Sequence, residues 1–250
     1  MFREKLHGTP WPDRPGTRTS AGPFPGCAAS ACIAELATAG RLLLVIAEDT
    51  QAALALEREL PFFVAPGTEV LALPDWETLP YDHFSPHQDI VSERLHTLYR
   101  LPSLTAGILV VPVSTLMHRL PPRDYVLGSS LVLEVGAPLD ADAFRRRLER
   151  SGYRHADTVY EHGEFALRGA LIDVFPMGSE RPYRIDLLDD EIDTLRSFDP
   201  ESQRTVARMD AVRLLPAREF PLTERAIEHF RQSWFERFEG DPDDCPMFRE

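Results

Sequence analysis

From Cys27 to Ala39 small, helix-forming residues predominate, and Gly40 is placed to end a helix there. Leu42 to Ile46 is an uninterrupted apolar run, the pattern of a strand buried on both faces. Asp49 or Thr50 can cap a helix running to Leu60, whose leucines and alanines recur at helical spacing. Glu69 to Leu73 reads as a second short strand. Between Asp89 and Leu101 the spacing puts Ile90, Leu95, Leu98 and Leu101 on one side of a helix, with Glu93, Arg94 and Arg100 on the other. Gly107 to Val113 is a third buried strand, and Ser114 can cap a helix holding Leu116 and Met117. This alternation predicts an α/β layer with a parallel sheet over residues 1–129.

After Pro121-Pro122 the pattern changes. Leu131 to Val135 reads as a strand, and Asp140 caps a helix rich in arginine, Arg145 to Arg150. Short alternating segments follow at Thr158–Tyr160, Phe165–Arg168, Leu171–Phe175, Tyr183–Leu188 and Glu191–Phe198, with Ala211–Leu215 as a closing strand. Residues 130–216 are therefore expected to form a small antiparallel α+β domain. Leu222–Phe238 is a further amphipathic helix. Residues 217–250 read as the start of a longer segment, so the chain is expected to be part of a larger protein.

Composition narrows the function classes. Hydrophobic residues make up 43 % of the 250, ordinary for a globular protein. The longest apolar runs fall well short of the roughly 18 residues of a membrane helix, and no secretory signal is visible, so a cytoplasmic location without membrane contact is expected. The net charge is −13, and no segment is basic enough for a broad electrostatic footprint on DNA. Lys5 is the only lysine, leaving no later ammonium for a phosphate or a Schiff base. Cys27, Cys32 and Cys245 cannot furnish a four-thiolate zinc site.

The side chains offer few catalytic constellations. His83 and His87 stand four apart near Asp82 and Asp89, a conceivable metal set, although Pro86 argues against the continuous helix that would align them. Ser85 and Ser114 suit helix caps better than nucleophiles. Asp186, Asp189, Asp190 and Glu191 lack the spacing of a known cation loop and suit an exposed hairpin turn. In the meander, Arg184, Asp186 and Leu188 alternate along one strand and so share a face, while Gly169 can swing Arg168 outward beside them. Two readings stay open for these arginines: ion pairs with Asp173, Asp186 or Asp189, or an exposed Arg–Arg–Leu patch with the make-up of an interface hot spot. The Arg145–Arg150 helix could meet DNA phosphates, but Asp140, Asp142 and Glu149 dilute its charge.

Three stretches resemble the bacterial transcription-repair coupling factors. They are Asp75-Trp-Glu-Thr-Leu-Pro-Tyr-Asp-His-Phe-Ser-Pro-His-Gln-Asp89, the run from Glu161-His-Gly-Glu to Pro176-Met-Gly178, and Tyr183-Arg-Ile-Asp-Leu-Leu-Asp-Asp-Glu-Ile-Asp193. The likeness spans roughly residues 22–240 and corresponds to the family's N-terminal module, itself similar to the excision-repair protein UvrB. It implies a degenerate P-loop-type α/β domain interrupted by a small domain that docks UvrA, with arginines matching Arg168 and Arg184 in that contact. Leu188 falls where relatives can carry a larger aromatic residue. RNA polymerase and DNA would be engaged through other domains, and ATP and Mg²⁺ by a motor outside this chain.

The UvrB-like phosphate frame falls on Pro23–Ser30. A working loop needs glycines, a lysine and a hydroxyl; here Gly26 and Ser30 keep their types, whereas Ala28 and Ala29 stand where a glycine and the lysine belong. Pro23 and Pro25 also remove two backbone donors. The resemblance therefore implies a non-catalytic recruitment module with no cofactor of its own. The rival reading is an ATP-dependent UvrB-like helicase or DNA-binding domain.

Overall fold

A computed structural model describes residues 15–79 and 84–241. Lys5, Asp82, His83, Cys245 and the acidic tail after Asp241 lie outside the described residues. The chain is mixed α/β and divides into two compact units, Met1–Asp75 with Arg100–His118, and Trp76–Tyr99 with Arg119–Glu250.

In the first unit the chain runs through helix α1 (Ala28–Ala37), strand β1 (Leu42–Ala47), helix α2 (Thr50–Glu59), and strands β2 (Val70–Ala72) and β3 (Gly107–Pro112). The Asp49 carboxylate accepts from the Ala52 N–H at 2.8 Å, the expected cap of α2. The three strands form a parallel sheet in the order β1-β3-β2. Its centre is β3, buried along its whole length. Gly107 opens that strand at φ +137°, where an added Cβ would stand 2.6 Å from the Glu69 carbonyl oxygen, so the two backbones can approach only at glycine. Ala37, Ala47, Ala53, Leu60, Ile108 and Val110 make the core.

Two expectations for this unit need correction. β1 is not buried on both faces: Leu43 and Val45 pack into the core, while Leu42, Leu44 and Ile46 are 38 %, 54 % and 53 % exposed. As the outermost strand it alternates between a covered and an open face, despite its continuous apolar sequence. Ser114 does not cap through its side chain, and only a 3₁₀ turn, Thr115–Met117, follows it.

The second unit contains α3 (Gln88–Arg100, whose last residue belongs to the first unit), α4 (Arg123–Gly128), β4 (Leu131–Glu134) and α5 (Ala141–Arg150). Strands β5 (Arg154–His155), β6 (Glu164–Arg168), β7 (Leu171–Val174), β8 (Tyr183–Leu188), β9 (Glu191–Phe198) and β10 (Thr205–Met209) form one sheet in the order β10-β9-β8-β7-β6-β5. All its pairings are antiparallel except β5 with β6. Asp140 accepts from the Ala143 N–H at 2.7 Å and caps α5, as expected. Thr223 similarly caps the last helix, α6 (Glu224–Arg237).

Phe165, Ile172, Val174, Ile185 and Leu195 on the inner sheet face pack with Phe144 and Leu148 of α5 and Leu95 of α3. Alternation along Tyr183–Leu188 puts Ile185 and Leu187 inward, and the structure agrees. Thr158–Tyr160, expected as a strand, is none; the short parallel β5 supplies the edge instead. The expected closing strand β11 (Ala211–Leu214) pairs with β4 in a separate ladder, outside the meander. No helix among the described residues is long and apolar enough to cross a membrane.

Two tyrosines tie this unit to residues that follow β11. The Tyr153 hydroxyl donates to the Leu215 carbonyl at 2.6 Å, and Tyr125 reaches the Arg218 and Phe220 carbonyls at 3.1 Å each. Burial raises both phenols above the ordinary range, Tyr125 to about 12. The folded chain therefore holds these protons more tightly than the unfolded chain, whose tyrosines release them near pH 10. Their contribution is complete below about pH 10 and is expected to be lost as the pH rises towards 12. Urea unfolding midpoints across that range test this, and Tyr125→Phe should flatten the dependence.

Candidate functional site

The outer face of the six-stranded sheet gathers the residues singled out in the meander. Register places Arg168 opposite Leu171, Leu171 opposite Asp186, and Asp173 opposite Arg184. The irregularity between β8 and β9 leaves the alternation of β8 intact, because the extra residue, Asp193, lies on β9. Arg184, Asp186 and Leu188 therefore share the outer face, as their spacing implied, and Ile185 is wholly buried on the other.

Exposure sorts the three candidates. Leu188 is 67 % exposed, a large apolar side chain held up by the β8–β9 hairpin. Arg168 is 46 % exposed; its Nη2 donates to the Asp157 carbonyl at 2.5 Å and to Thr158 Oγ1 at 3.2 Å. Gly169, at φ +64°, makes the turn that follows it. Arg184 is only 15 % exposed and paired with Asp173, so of the two open readings the ion pair holds for it and full exposure does not. Its Nε and Nη2 donate to the two oxygens of Asp173 at 2.7 and 2.9 Å, and its guanidinium lies 4.6 Å over the Phe198 ring. That bond to Asp173 pushes the Arg184 guanidinium higher than an ordinary arginine. Asp173, 2 % exposed, also stands 4.0 Å from Arg168 Nη1, so one buried carboxylate faces both arginines.

In the phosphate frame, Gly26 takes φ +53° and α1 begins at Ala28. The Ala28 N–H donates back to the Pro25 carbonyl at 3.2 Å. Ala29, in the first turn of α1, carries only a methyl group. Ser30 is fully buried, and its hydroxyl donates to Glu59 Oε2 at 2.6 Å. Ser30 thus holds α1 to α2 through a carboxylate.

Asp186 accepts from Thr194 Oγ1 and Arg196 Nη2, each at 2.5 Å, and Asp189 turns the hairpin at φ +55°. These are the contacts of a hairpin, and no group of three or more His, Cys, Asp or Glu among the described residues could hold a metal. α3 starts at Gln88, three residues beyond Ser85. His87 Nδ1 lies 3.4 Å from Asp89.

Two side-chain clusters escaped the sequence reading. Arg94, expected on the polar face of α3, is completely buried; its Nε and Nη2 donate to Glu219 at 2.5 and 3.1 Å. Trp76 Nε1 donates to the same carboxylate at 3.0 Å, and the Arg94 guanidinium sits 4.7 Å over the Trp76 ring. His162 reaches Asp89 Oδ1 at 2.7 Å and the Ser179 carbonyl at 2.8 Å, with its ring 4.0 Å from that of Phe175. Helical spacing alone could not signal Arg94, because its partner is 125 residues away.

Residues 131–220, which carry this sheet face, match the family model of the UvrB interaction domain. The chain is 52 % identical over 241 residues to the transcription-repair-coupling factor of Escherichia coli K12, covering 96 % of the chain and 21 % of the relative. It is 47 % identical over 197 residues to the factor of Haemophilus influenzae, covering 79 % of the chain and 17 % of the relative. For Myxococcus xanthus the figures are 38 % over 218 residues, 84 % of the chain and 18 % of the relative. The chain spans about a fifth of the length of the curated relatives it matches. Residues 131–220 thus match the UvrB interaction domain, in a chain homologous over nearly its whole length to transcription-repair-coupling factors.

Proposed function

We propose that the outer face of the β5–β10 sheet docks UvrA, and that the chain serves transcription-coupled excision repair as a non-catalytic recruitment module. The observation that carries this reading is Leu188, a large apolar side chain 67 % exposed on the same face as the half-exposed Arg168, within the UvrB interaction domain. An apolar anchor beside an arginine is the usual composition of an interface hot spot. RNA polymerase and DNA are engaged by other parts of the full-length protein. In this reading the parallel-sheet unit is a degenerate P-loop-type domain, interrupted by the small domain of residues 130–216.

The residues of the phosphate frame do not fit a nucleoside triphosphate. Ala29 supplies no cation, and Ser30 already donates to a carboxylate that would repel phosphate oxygens. This supports docking over the UvrB-like helicase reading.

Titration of UvrA with the chain tests the proposal. Arg168→Ala and Leu188→Ala are each expected to weaken binding by about 2 kcal/mol, roughly 30-fold. Unchanged affinity in both variants would overturn the assignment.

A further inference from the structure

Across β7, β8, β9 and β10 the register lines up Asp173, Arg184, Arg196 and Arg208 in one row on the outer face. Their inner-face neighbours confirm the orientation, since Leu195 and Met209, each one residue along, pair with one another and pack in the core. Adjacent strands stand about 4.8 Å apart, so Arg184 faces Arg196, and Arg196 faces Arg208, at positions where like charges oppose each other. The local carboxylates are committed. Asp173 gives both oxygens to Arg184, and Asp186 gives one to Arg196 and Thr194. Arg196 Nε is buried without a hydrogen-bond acceptor, and Gln203 Oε1, beside Arg184, is buried without a donor. Arg208 is exposed and makes no ion pair among the described residues.

A chain of net charge −13 thus sets four arginines, Arg168, Arg184, Arg196 and Arg208, against the two carboxylates Asp173 and Asp186 on the face that carries Leu188. We infer that the docking surface extends across β9 and β10, where Arg196 and Arg208 receive carboxylates from the protein partner. The inference rests on the docking reading and adds a second, electrostatic half to it. The Leu188 end supplies apolar contact; the arginine row supplies charge complementarity, which acts on association rate and salt dependence. A protein surface is favoured over nucleic acid because Asp173 and Asp186 sit among the arginines and the hairpin beyond Leu188 bears Asp189, Asp190 and Glu191, all repulsive to a phosphate backbone.

The test titrates UvrA with the intact chain at low and physiological salt, using Arg208→Glu, Arg196→Gln, Arg168→Ala and, as control, Arg146→Glu on the exposed face of α5. Arg208→Glu is expected to weaken binding at least tenfold and to flatten its salt dependence, Arg196→Gln several-fold, and Arg146→Glu not at all. If Arg168→Ala loses affinity while Arg208→Glu and Arg196→Gln bind like the parent, the extension is wrong and the docking reading stands. If all four bind like the parent, and Leu188→Ala does too, the docking reading itself falls. Binding of a 20-base-pair duplex that Arg208→Glu abolishes, with UvrA affinity unchanged, would also overturn the inference. Should Arg196→Gln unfold, Arg208→Glu decides alone, because Arg208 is exposed and makes no ion pair among the described residues.

Discussion

Glu219→Ala is expected to destabilise the second unit by about 3–5 kcal/mol, because it leaves the Arg94 guanidinium buried without its carboxylate. Arg94 is wholly inaccessible and Glu219 8 % exposed, so the lost contact lies in a buried setting. The same change removes the acceptor of Trp76 Nε1. A loss of this size is a large share of the roughly 5–15 kcal/mol that holds an ordinary domain folded. Replacing both members of the pair, as Arg94→Met with Glu219→Leu, should recover most of it, since an apolar pair of similar volume avoids the desolvation of two charges. Urea denaturation of the parent, each single variant and the double variant measures the coupling. A Glu219→Ala midpoint equal to the parent's would show that the pair carries no stability.

The second large effect concerns the outer face of the β5–β10 sheet. Arg184→Ala should cost about 3–5 kcal/mol of stability, since Asp173, 2 % exposed, would lose its bidentate partner and keep only Arg168 at 4.0 Å. Arg168→Ala should cost no more than about 1 kcal/mol, its guanidinium being half in water. The two arginines, equivalent in sequence as candidates for one patch, are thus expected to separate in calorimetry. Loss of UvrA binding on Arg184→Ala mixes unfolding with lost contact, whereas loss on Arg168→Ala reports contact. The pair Arg184→Leu with Asp173→Leu should restore stability while leaving the patch without its inner guanidinium. Affinity of that double variant then isolates what Arg184 contributes to docking. Arg184→Ala and Arg168→Ala unfolding at the same temperature would contradict this division.

Much of the architecture was legible locally. Asp49 and Asp140 followed by apolar residues at helical spacing marked α2 and α5 correctly, because an N-cap is a contact over three residues. The inward facing of Ile185 and Leu187 followed from alternation, which depends only on the two-residue period of a strand. The shared face of Arg184, Asp186 and Leu188 followed from the same period. β1 was misread because a continuous apolar run says nothing about whether a second layer covers its other face. Arg94 was misread because a charged residue on a helix is usually solvated, and the carboxylate that accepts from it comes from Glu219, far along the chain.

The order of residues alone therefore determined the helices, most of the strands and the facing of the meander. Each depends on neighbours within a few positions. Tertiary structure decided which cations are spent and which remain to be offered: Arg94 to Glu219 and Arg184 to Asp173, with Arg168 half exposed and Arg208 exposed on the outer face. Burial and ion pairing depend on residues brought together from across strands or from 125 positions away, and spacing along the chain carries no record of them.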